Sequence, residues 1–227
     1  TCSQVTGCPT PEITPRSCLD YSRKGFKENG HYKIYDFPSN TFFTVYCDFT
    51  SEPGTAWTLI ESFALKNKIL DPFRIHPLAT NAPVNSKSPN WNLYRMSFEQ
   101  MKLLRAQSTH WRATCSFRDT PDIYSDYARA NFDDFDVLMF TGYDVCKKME
   151  YVNIRGHQCV DCTATWFAVN TTYAVHIDSS FSSCQFVPRT GSLSSEDNFG
   201  WYGRSNSKFR CSSNPKATTN WWFGSYT

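Results

Sequence analysis

The clearest alternation of hydrophobic and polar positions lies in the first quarter of the chain. Two runs of β-branched and aromatic residues, 30–35 and 42–47, flank a turn-forming segment at 38–40. This pattern predicts two strands joined by a turn. A third strand is predicted over residues 56–60, after the turn signal at 51–54.

One stretch has helical periodicity. Phe98, Met101 and Leu104 recur at the spacing of one helix face, and Ser97 precedes them with Gln100 three positions later. A serine followed at that distance by glutamine is the signature of a capping box, so a helix is predicted to begin after Ser97. Its apolar face is expected to pack on the core.

The remaining strand candidates are short and lie in the second half of the chain. They are residues 111–117, 135–140, 150–154, 163–169 and 173–177. Many short strands with few helices predict an α+β fold of mostly antiparallel strands.

Length and composition support one folded domain with a short leader. The chain has 227 residues, of which 40% are hydrophobic, 16% aromatic and only 19% charged, which is typical of a folded domain rather than a disordered one. The net charge is +2 with both signs interspersed, so there is no electrostatic case for binding nucleic acid or an anionic membrane. No stretch approaches the roughly 18 apolar residues of a transmembrane helix, so membrane insertion is not expected. Residues 1–17 are predicted to be a tether rich in Pro, Thr and Ser, and residues 18–227 the recognition domain.

Ten cysteines in a chain of this length favour an oxidising, extracellular setting. Asn170 begins an Asn-Thr-Thr acceptor for N-glycosylation, which fits the same compartment. We predict a Cys18–Cys47 bridge, which would close the first three strands into one unit. In the tether, Cys2 and Cys8 have two alternatives: a bridge within the chain, or bridges between chains that would hold an oligomer together.

Cys159 and Cys162 form a C-x-x-C pair. Zinc sites usually contain a second matching pair, and redox sites place the motif at a helix N-terminus, whereas the residues that follow here predict a strand. A structural disulfide is therefore the preferred interpretation.

The start of the chain resembles the fibrinogen C-terminal-like domain family. In that family a Ser-Cys pair leads to a glycine-rich turn, a Val-Tyr-Cys-Asp strand and a Gly-Gly-Gly-Trp-Thr segment. The matching positions here are Ser17-Cys18, Gly30, Val45-Tyr46-Cys47-Asp48 and Trp57-Thr58. Gly54-Thr55-Ala56 departs from the family's glycine run. Near the other end, Asn220-Trp221-Trp222-Phe223 is similar to the family's Gly-Gly-Trp-Trp-Tyr segment, while the resemblance over the rest of the chain is loose.

The resemblance implies a C-terminal bridge, a calcium loop and a ligand pocket for decorated glycans. It implies a Cys184–Cys211 disulfide. It also places the calcium loop near Glu196, Asp197 and Asn198, whose side chains supply the oxygen ligands that calcium prefers, although too few to complete a site. The alternative for these three residues is a solvated turn. The familiar series of closely spaced aspartates is not readable here.

Four aromatic residues near the C-terminus are candidate ligand-binding residues. Trp201, Tyr202, Trp221 and Trp222 have flat rings with polar edges that suit stacking on the C–H faces of sugars. Core packing is the alternative. If Trp221 and Trp222 lie on a strand, their rings point to opposite faces, which would leave one of them free to bind.

Catalytic motifs are missing from the sequence. There is no nucleophile elbow, zinc-protease motif, P-loop or dinucleotide fingerprint, and the five histidines have no ligand spacing. The sequence therefore predicts a secreted, non-catalytic, lectin-like module of the pattern-recognition type. Its expected partners are glycans or glycoproteins, with calcium as a candidate cofactor and a homo-oligomer as the source of avidity. The alternative is a structural or adhesive extracellular protein that binds a protein partner or itself.

Overall fold

The structure is a computed structural model that describes residues 14–227. Cys2, Cys8 and most of the predicted tether lie outside the described residues, so the pairing of these two cysteines stays a prediction.

Antiparallel strands dominate the described part of the chain. The strands are β1 (Gly30–Asp36), β2 (Thr41–Asp48), β3 (Thr55–Ala64), β4 (Leu93–Arg95), β5 (His110–Cys115), β6 (Tyr127–Asn131), β7 (Gly142–Ile154), β8 (His157–Val169), β9 (Tyr173–Asp178), β10 (Asp197–Asn198) and β11 (Thr218–Tyr226). The helices are α1 (Cys18–Arg23), α2 (Asp71–Arg74) and α3 (Phe98–Arg105), with single 3₁₀ turns at Leu65–Asn67 and Arg210–Ser212. The predicted class, mostly antiparallel sheet with few short helices, is confirmed at this level.

The strands form one connected sheet in the order β1-β2-β3-β11-β5-β6-β7-β8-β9-β10, and β4 pairs with β3 beside this path. Strand β11, from the end of the chain, lies between β3 and β5 and pairs antiparallel with both. The centre of the sheet is therefore built from three segments that are far apart in sequence.

The local predictions for the first hairpin and the main helix are confirmed. β1 and β2 pair antiparallel from Gly30 opposite Cys47 to Asp36 opposite Thr41. At the start of α3, the Ser97 hydroxyl accepts a hydrogen bond from the Gln100 backbone N–H, and the Gln100 side chain accepts one from the Ser97 N–H. This reciprocal pair satisfies two of the helix's unpaired amide groups.

The strand predicted over residues 135–140 is wrong, because this segment forms turns instead. Phe135, Leu138 and Phe140 are buried, so the apolar run was correctly assigned to the core. The chain leaves β6 through a turn in which the Asn131 side chain accepts from the Asp134 N–H at 2.8 Å. An Asn side chain that accepts a hydrogen bond from the backbone in this way competes with the backbone hydrogen bonds between strands, and it favours a turn.

Every cysteine in the described part of the chain forms a disulfide. The predicted Cys18–Cys47 bridge is confirmed. The Cys184–Cys211 bridge is wrong: Cys184 pairs with Cys146 and Cys211 pairs with Cys115. The reason is sheet order. β5 lies next to β11 and next to the 3₁₀ turn that holds Cys211, whereas the segment with Cys184 lies beside Cys146 near the start of β7. The remaining pair, Cys159–Cys162, bridges two positions within β8.

Candidate functional site

Three of the four predicted ligand-binding rings belong to the core. Trp221 and Trp222 are both 0% exposed, and Tyr202 is also buried. The Trp221 indole donates to the Phe199 carbonyl at 2.9 Å, the Trp222 indole donates to the Thr114 hydroxyl at 2.9 Å, and the Tyr202 hydroxyl bonds Thr219. An enclosed ring has no free face for a sugar, so the ligand-binding role expected for these three residues is corrected to a structural one.

Alternation along β11 does send the two adjacent tryptophans to opposite faces, but both faces of this central strand are covered. Trp221 packs against Trp111 at 5.4 Å and Trp166 at 6.1 Å between ring centres. Trp222 packs on the other face against Phe117 at 4.7 Å and Trp91 at 6.0 Å. The expectation that one face of β11 is open to a ligand is therefore wrong.

Trp201 is the predicted ring that keeps an accessible surface. It is half-buried and lies over Gly203, where a Cβ atom would overlap the indole. Its ring contacts Tyr173 at 4.9 Å and His176 at 5.1 Å between ring centres. Among the described residues its indole N–H has no hydrogen-bond partner, so this donor is available to a ligand.

Trp201 belongs to a larger aromatic surface, which we call the aromatic face. Its accessible rings are Tyr143, Tyr173, Phe181 and Trp201, and its floor is a buried stack of Phe167 and His176 at 5.2 Å. The rings form a continuous chain of contacts across strands β7, β8 and β9 and the segments that follow β9. The sheet thus presents ring faces and edges together at its surface.

An irregularity in β7 presents Tyr143 to this face. The pairing between β7 and β8 shifts between Gly142 and Val145, and Asp144 has a φ of 53°. A bulge of this kind re-aims side chains and is frequent beside binding sites. Tyr143 is consequently 60% exposed, yet its ring packs against Phe167 at 4.9 Å.

A polar cavity of about 390 Å³ adjoins the aromatic face at Phe181, and we call it the serine pocket. Its other lining residues are Asp144, Ser180, Ser182, Ser183 and Arg189. Asp144 accepts hydrogen bonds from Ser183 and from the Thr165 hydroxyl, and the Arg189 Nε donates to the Ser180 carbonyl at 3.1 Å. Hydroxyl, carboxylate and guanidinium groups beside exposed rings suit a ligand that has both hydroxyl groups and apolar C–H faces.

The Cys146–Cys184 disulfide fixes the loop that carries the serine pocket. It joins β7 to the segment after β9, close to Ser183. On the far side, the Ser195 N–H donates to the Ser180 hydroxyl at 3.2 Å. The pocket is therefore tied to the sheet by a covalent bond and by hydrogen bonds.

The predicted calcium residues are buried and already have protein partners. The Glu196 carboxylate pairs with the Arg155 guanidinium at 2.7 Å and accepts from the amide of Asn206 at 2.8 Å. The Asn198 side chain bonds Ser179 and Glu196. Within residues 14–227, no group of three or more His, Cys, Asp or Glu side chains has an arrangement that would hold a metal ion. In this arrangement the three residues do not fit a calcium ion, which would have to replace these contacts.

Asp197 lies directly beneath the aromatic face. Its carboxylate accepts from the Arg204 N–H at 2.7 Å, and one oxygen lies 3.6 Å from the His176 Nε2. Burial raises the pKa of Asp197 to about 8, and burial lowers the pKa of His176 to about 4. Burial thus favours the uncharged form of both groups beneath the aromatic face.

Asn170 is exposed in the turn between β8 and β9. Its side-chain oxygen accepts from the Thr80 hydroxyl at 3.1 Å. The acceptor is accessible, and its glycosylation stays a prediction.

Sequence reasoning found Trp201 but missed Tyr143, Tyr173 and Phe181. Only the pairing of β7, β8 and β9 brings these rings together, and no spacing in the sequence encodes that pairing. The one local signal was the run 173–177, which predicts a strand that begins at Tyr173, whereas Tyr143 and Phe181 lie outside every predicted element.

No helix of the described residues has the length and apolar character needed to cross a membrane. Comparison with protein-family models and with curated proteins found no match to this chain.

Proposed function

We propose that this chain is a secreted, non-catalytic glycan-recognition module with a fibrinogen C-terminal-like fold. The aromatic face and the serine pocket form its binding site. The observation that carries the proposal is that Phe181 both lines the polar cavity and contacts the exposed ring of Tyr143. Trp201, Tyr173 and Tyr143 would stack on sugar faces, while the serine hydroxyls, Asp144 and Arg189 would bond sugar hydroxyls.

Three features support the family assignment. Cys18 and Cys47 are bridged as expected for the opening unit, and Trp57 is buried after it. Trp221 and Trp222 lie on a strand that joins the first unit to the rest of the sheet. The disulfides also favour a secreted protein.

The test is a glycan array with the purified chain, followed by titration calorimetry on the best ligand. Trp201→Ala is expected to weaken binding by about tenfold or more, since one ring–ligand contact contributes on the order of 1–3 kcal/mol. The matched control is Phe42→Ala, which removes an exposed ring on the β1–β2 hairpin instead. Equal binding by wild type and the Trp201 variant, with unchanged melting temperature, would contradict the site.

The adhesive alternative has an observation of its own. Phe37 and Phe42, at the end of the β1–β2 hairpin, are 59% and 55% exposed and both contact Tyr35. Exposed apolar clusters mark protein-binding surfaces. Loss of cell or matrix binding in Phe42→Ala with retention in Trp201→Ala would favour this alternative over the lectin.

Calcium assistance is a separate part of the proposal. Thermal unfolding after chelation, repeated with added calcium, tests it because a ligand of the native state raises its stability by mass action. Because Glu196 and Asn198 already have protein partners, a rise in melting temperature that is lost in Asp197→Asn would show that this loop gives up those contacts to bind calcium. No rise at millimolar calcium would remove calcium from the proposal.

Oligomerisation through the tether is tested by electrophoresis without reductant. Bands of dimers or larger species that disappear in Cys2→Ser and Cys8→Ser variants would support bridges between chains and hence avidity.

A further inference from the structure

A second cavity, distinct from the aromatic face, opens between the turn after β2 and the loop after β5. Its volume is about 480 Å³, within the roughly 300–1,000 Å³ range of small-ligand pockets. Its apolar wall is formed by the rings of Tyr46, Phe117 and Tyr124. We call it the Phe117 groove.

The floor of the Phe117 groove is rigid. Phe117 stacks on Trp91 with ring centres 5.6 Å apart and packs against Trp222 at 4.7 Å. Tyr46 packs on the same Trp91 at 4.9 Å. The buried Arg112 guanidinium lies 5.6 Å from the centre of the Phe117 ring and 4.7 Å from the centre of the Trp222 ring. The aromatic wall is therefore positioned before any ligand arrives, which lowers the entropic cost of binding.

The rim of the groove has donors without acceptors. Arg118 is exposed and forms no ion pair with any described residue, and the Tyr46 hydroxyl has no hydrogen-bond partner there either. Both residues line the same cavity, so the guanidinium and the phenol hydroxyl are available to one ligand bound there.

The one carboxylate in the lining is already engaged. Asp122 accepts from the Tyr124 N–H at 3.0 Å and from the Ser125 hydroxyl at 3.2 Å. The Asn29 amide is likewise committed to Asp48 and Thr50. The unmatched groups that remain are a guanidinium and a hydroxyl, which together suit an anionic oxygen acceptor.

We propose that the Phe117 groove binds the carboxylate of an acidic sugar, a uronic acid residue. The carboxylate bonds Arg118 and the Tyr46 hydroxyl, and the sugar ring lies against Phe117 and Tyr124. This inference rests on the proposed glycan recognition and adds a ligand class at a site apart from the aromatic face.

The test uses a trisaccharide of galacturonic acid and its methyl ester, which has the same rings without the charges. Wild type is expected to bind the acid at least about tenfold more tightly than the ester, because a charge-assisted hydrogen bond is lost in the ester. Arg118→Gln is expected to lose the same factor and the salt dependence of binding. Arg118 is exposed, so this variant is expected to keep the wild-type melting temperature.

Trp201→Ala is the matched control and is expected to bind the acid as wild type does. Equal affinity for acid and ester, or unchanged binding in Arg118→Gln, would overturn the inference. If Trp201→Ala abolishes binding of the acid, the aromatic face is the acidic-sugar site; the inference then fails while the proposed function stands. If neither acidic nor neutral glycans bind the wild-type chain, both fail.

Discussion

Arg112 shows how one residue connects charge with packing. Its side chain is fully buried in β5 between the rings of Trp57 and Trp222, with its guanidinium within 4.7 Å of both ring centres. It pairs with Asp48 at 2.6 Å and with Glu52 at 2.5 Å. Two carboxylates that face one cation keep the pKa of Arg112 above its usual value despite burial.

We predict that Arg112→Leu lowers the free energy of unfolding by about 3–5 kcal/mol, because Asp48 is then left buried without a cationic partner and Glu52 keeps only Arg129. Urea unfolding of the oxidised protein measures this loss. The control is Lys102→Ala, which removes an exposed pair with Glu99 and is expected to change stability by less than about 0.5 kcal/mol. A loss in Arg112→Leu no larger than in the control would contradict the role given to this ion pair.

For individual aromatic residues, the sequence does not show which side chains are accessible at the site. Trp201-Tyr202 and Trp221-Trp222 are two similar aromatic pairs, yet only Trp201 is accessible. Burial of the other three depends on what covers each face of the sheet. That covering comes from distant segments, including Trp91, Trp111 and Trp166.

At the scale of elements, a ladder of charges links β5, β6 and β7. Glu150 of β7 accepts from His110 of β5 at 2.8 Å and from Arg129 of β6 at 2.9 Å. Arg129 also contacts Glu52 at 3.1 Å, which joins this ladder to Arg112. The three strands are thus held across one face by side chains as well as by backbone hydrogen bonds.

The ion pairs of Glu150 make the free energy of unfolding depend on pH. The hydrogen bond from His110, together with Arg129, lowers the pKa of Glu150 to about 2. A carboxyl whose pKa is lower in the folded state stabilises the fold above its unfolded pKa of roughly 4.3, and this contribution is lost as pH falls toward 2. Between pH 5 and 2, we expect wild type to lose about 1 kcal/mol more than Glu150→Gln, after allowance for solvent screening. Urea unfolding at both pH values measures this difference, and an equal loss of unfolding free energy in the two proteins would contradict the prediction.

The Cys146–Cys184 disulfide is the element-scale feature that we connect with binding. It closes a separation of 38 residues, whereas Cys159–Cys162 closes only 3. On the loop-entropy estimate, replacing both cysteines by serine costs about 4 kcal/mol for the first bridge and about 2 kcal/mol for the second.

Removal of the first bridge should also weaken glycan binding, because it frees the loop of the serine pocket. The Cys159→Ser, Cys162→Ser double variant is the control, since neither of these cysteines lines the serine pocket and their bridge does not join its loop to β7. Calorimetry below both melting temperatures separates binding from stability. Equal loss of binding in the two double variants would show that the first bridge has no special role in the pocket.

At the scale of the whole molecule, local sequence signals predict individual helices and strands, whereas the strand order and the other disulfides depend on pairing between distant segments. The β1–β2 hairpin, the capped helix and the Cys18–Cys47 bridge each depend on residues close in sequence, and all three were predictable. The partner predicted for Cys211 is wrong because its true partner, Cys115, is 96 residues away in sequence. The two cysteines come together only because β11, which follows Cys211, pairs with β5, which contains Cys115. β6 went unpredicted because its pattern is short and is interrupted by Arg129.

The placement of β11 has a consequence for synthesis of the chain on the ribosome. β3 and β5 emerge early, but the strand that pairs with both emerges only when residues 218–226 have been made. Until then each of these strands has an unpaired edge that can bind strands of other molecules. The centre of the sheet therefore cannot close before β11 has been made, and a pause shortly before residue 218 would prolong the aggregation-prone state and the demand for chaperones.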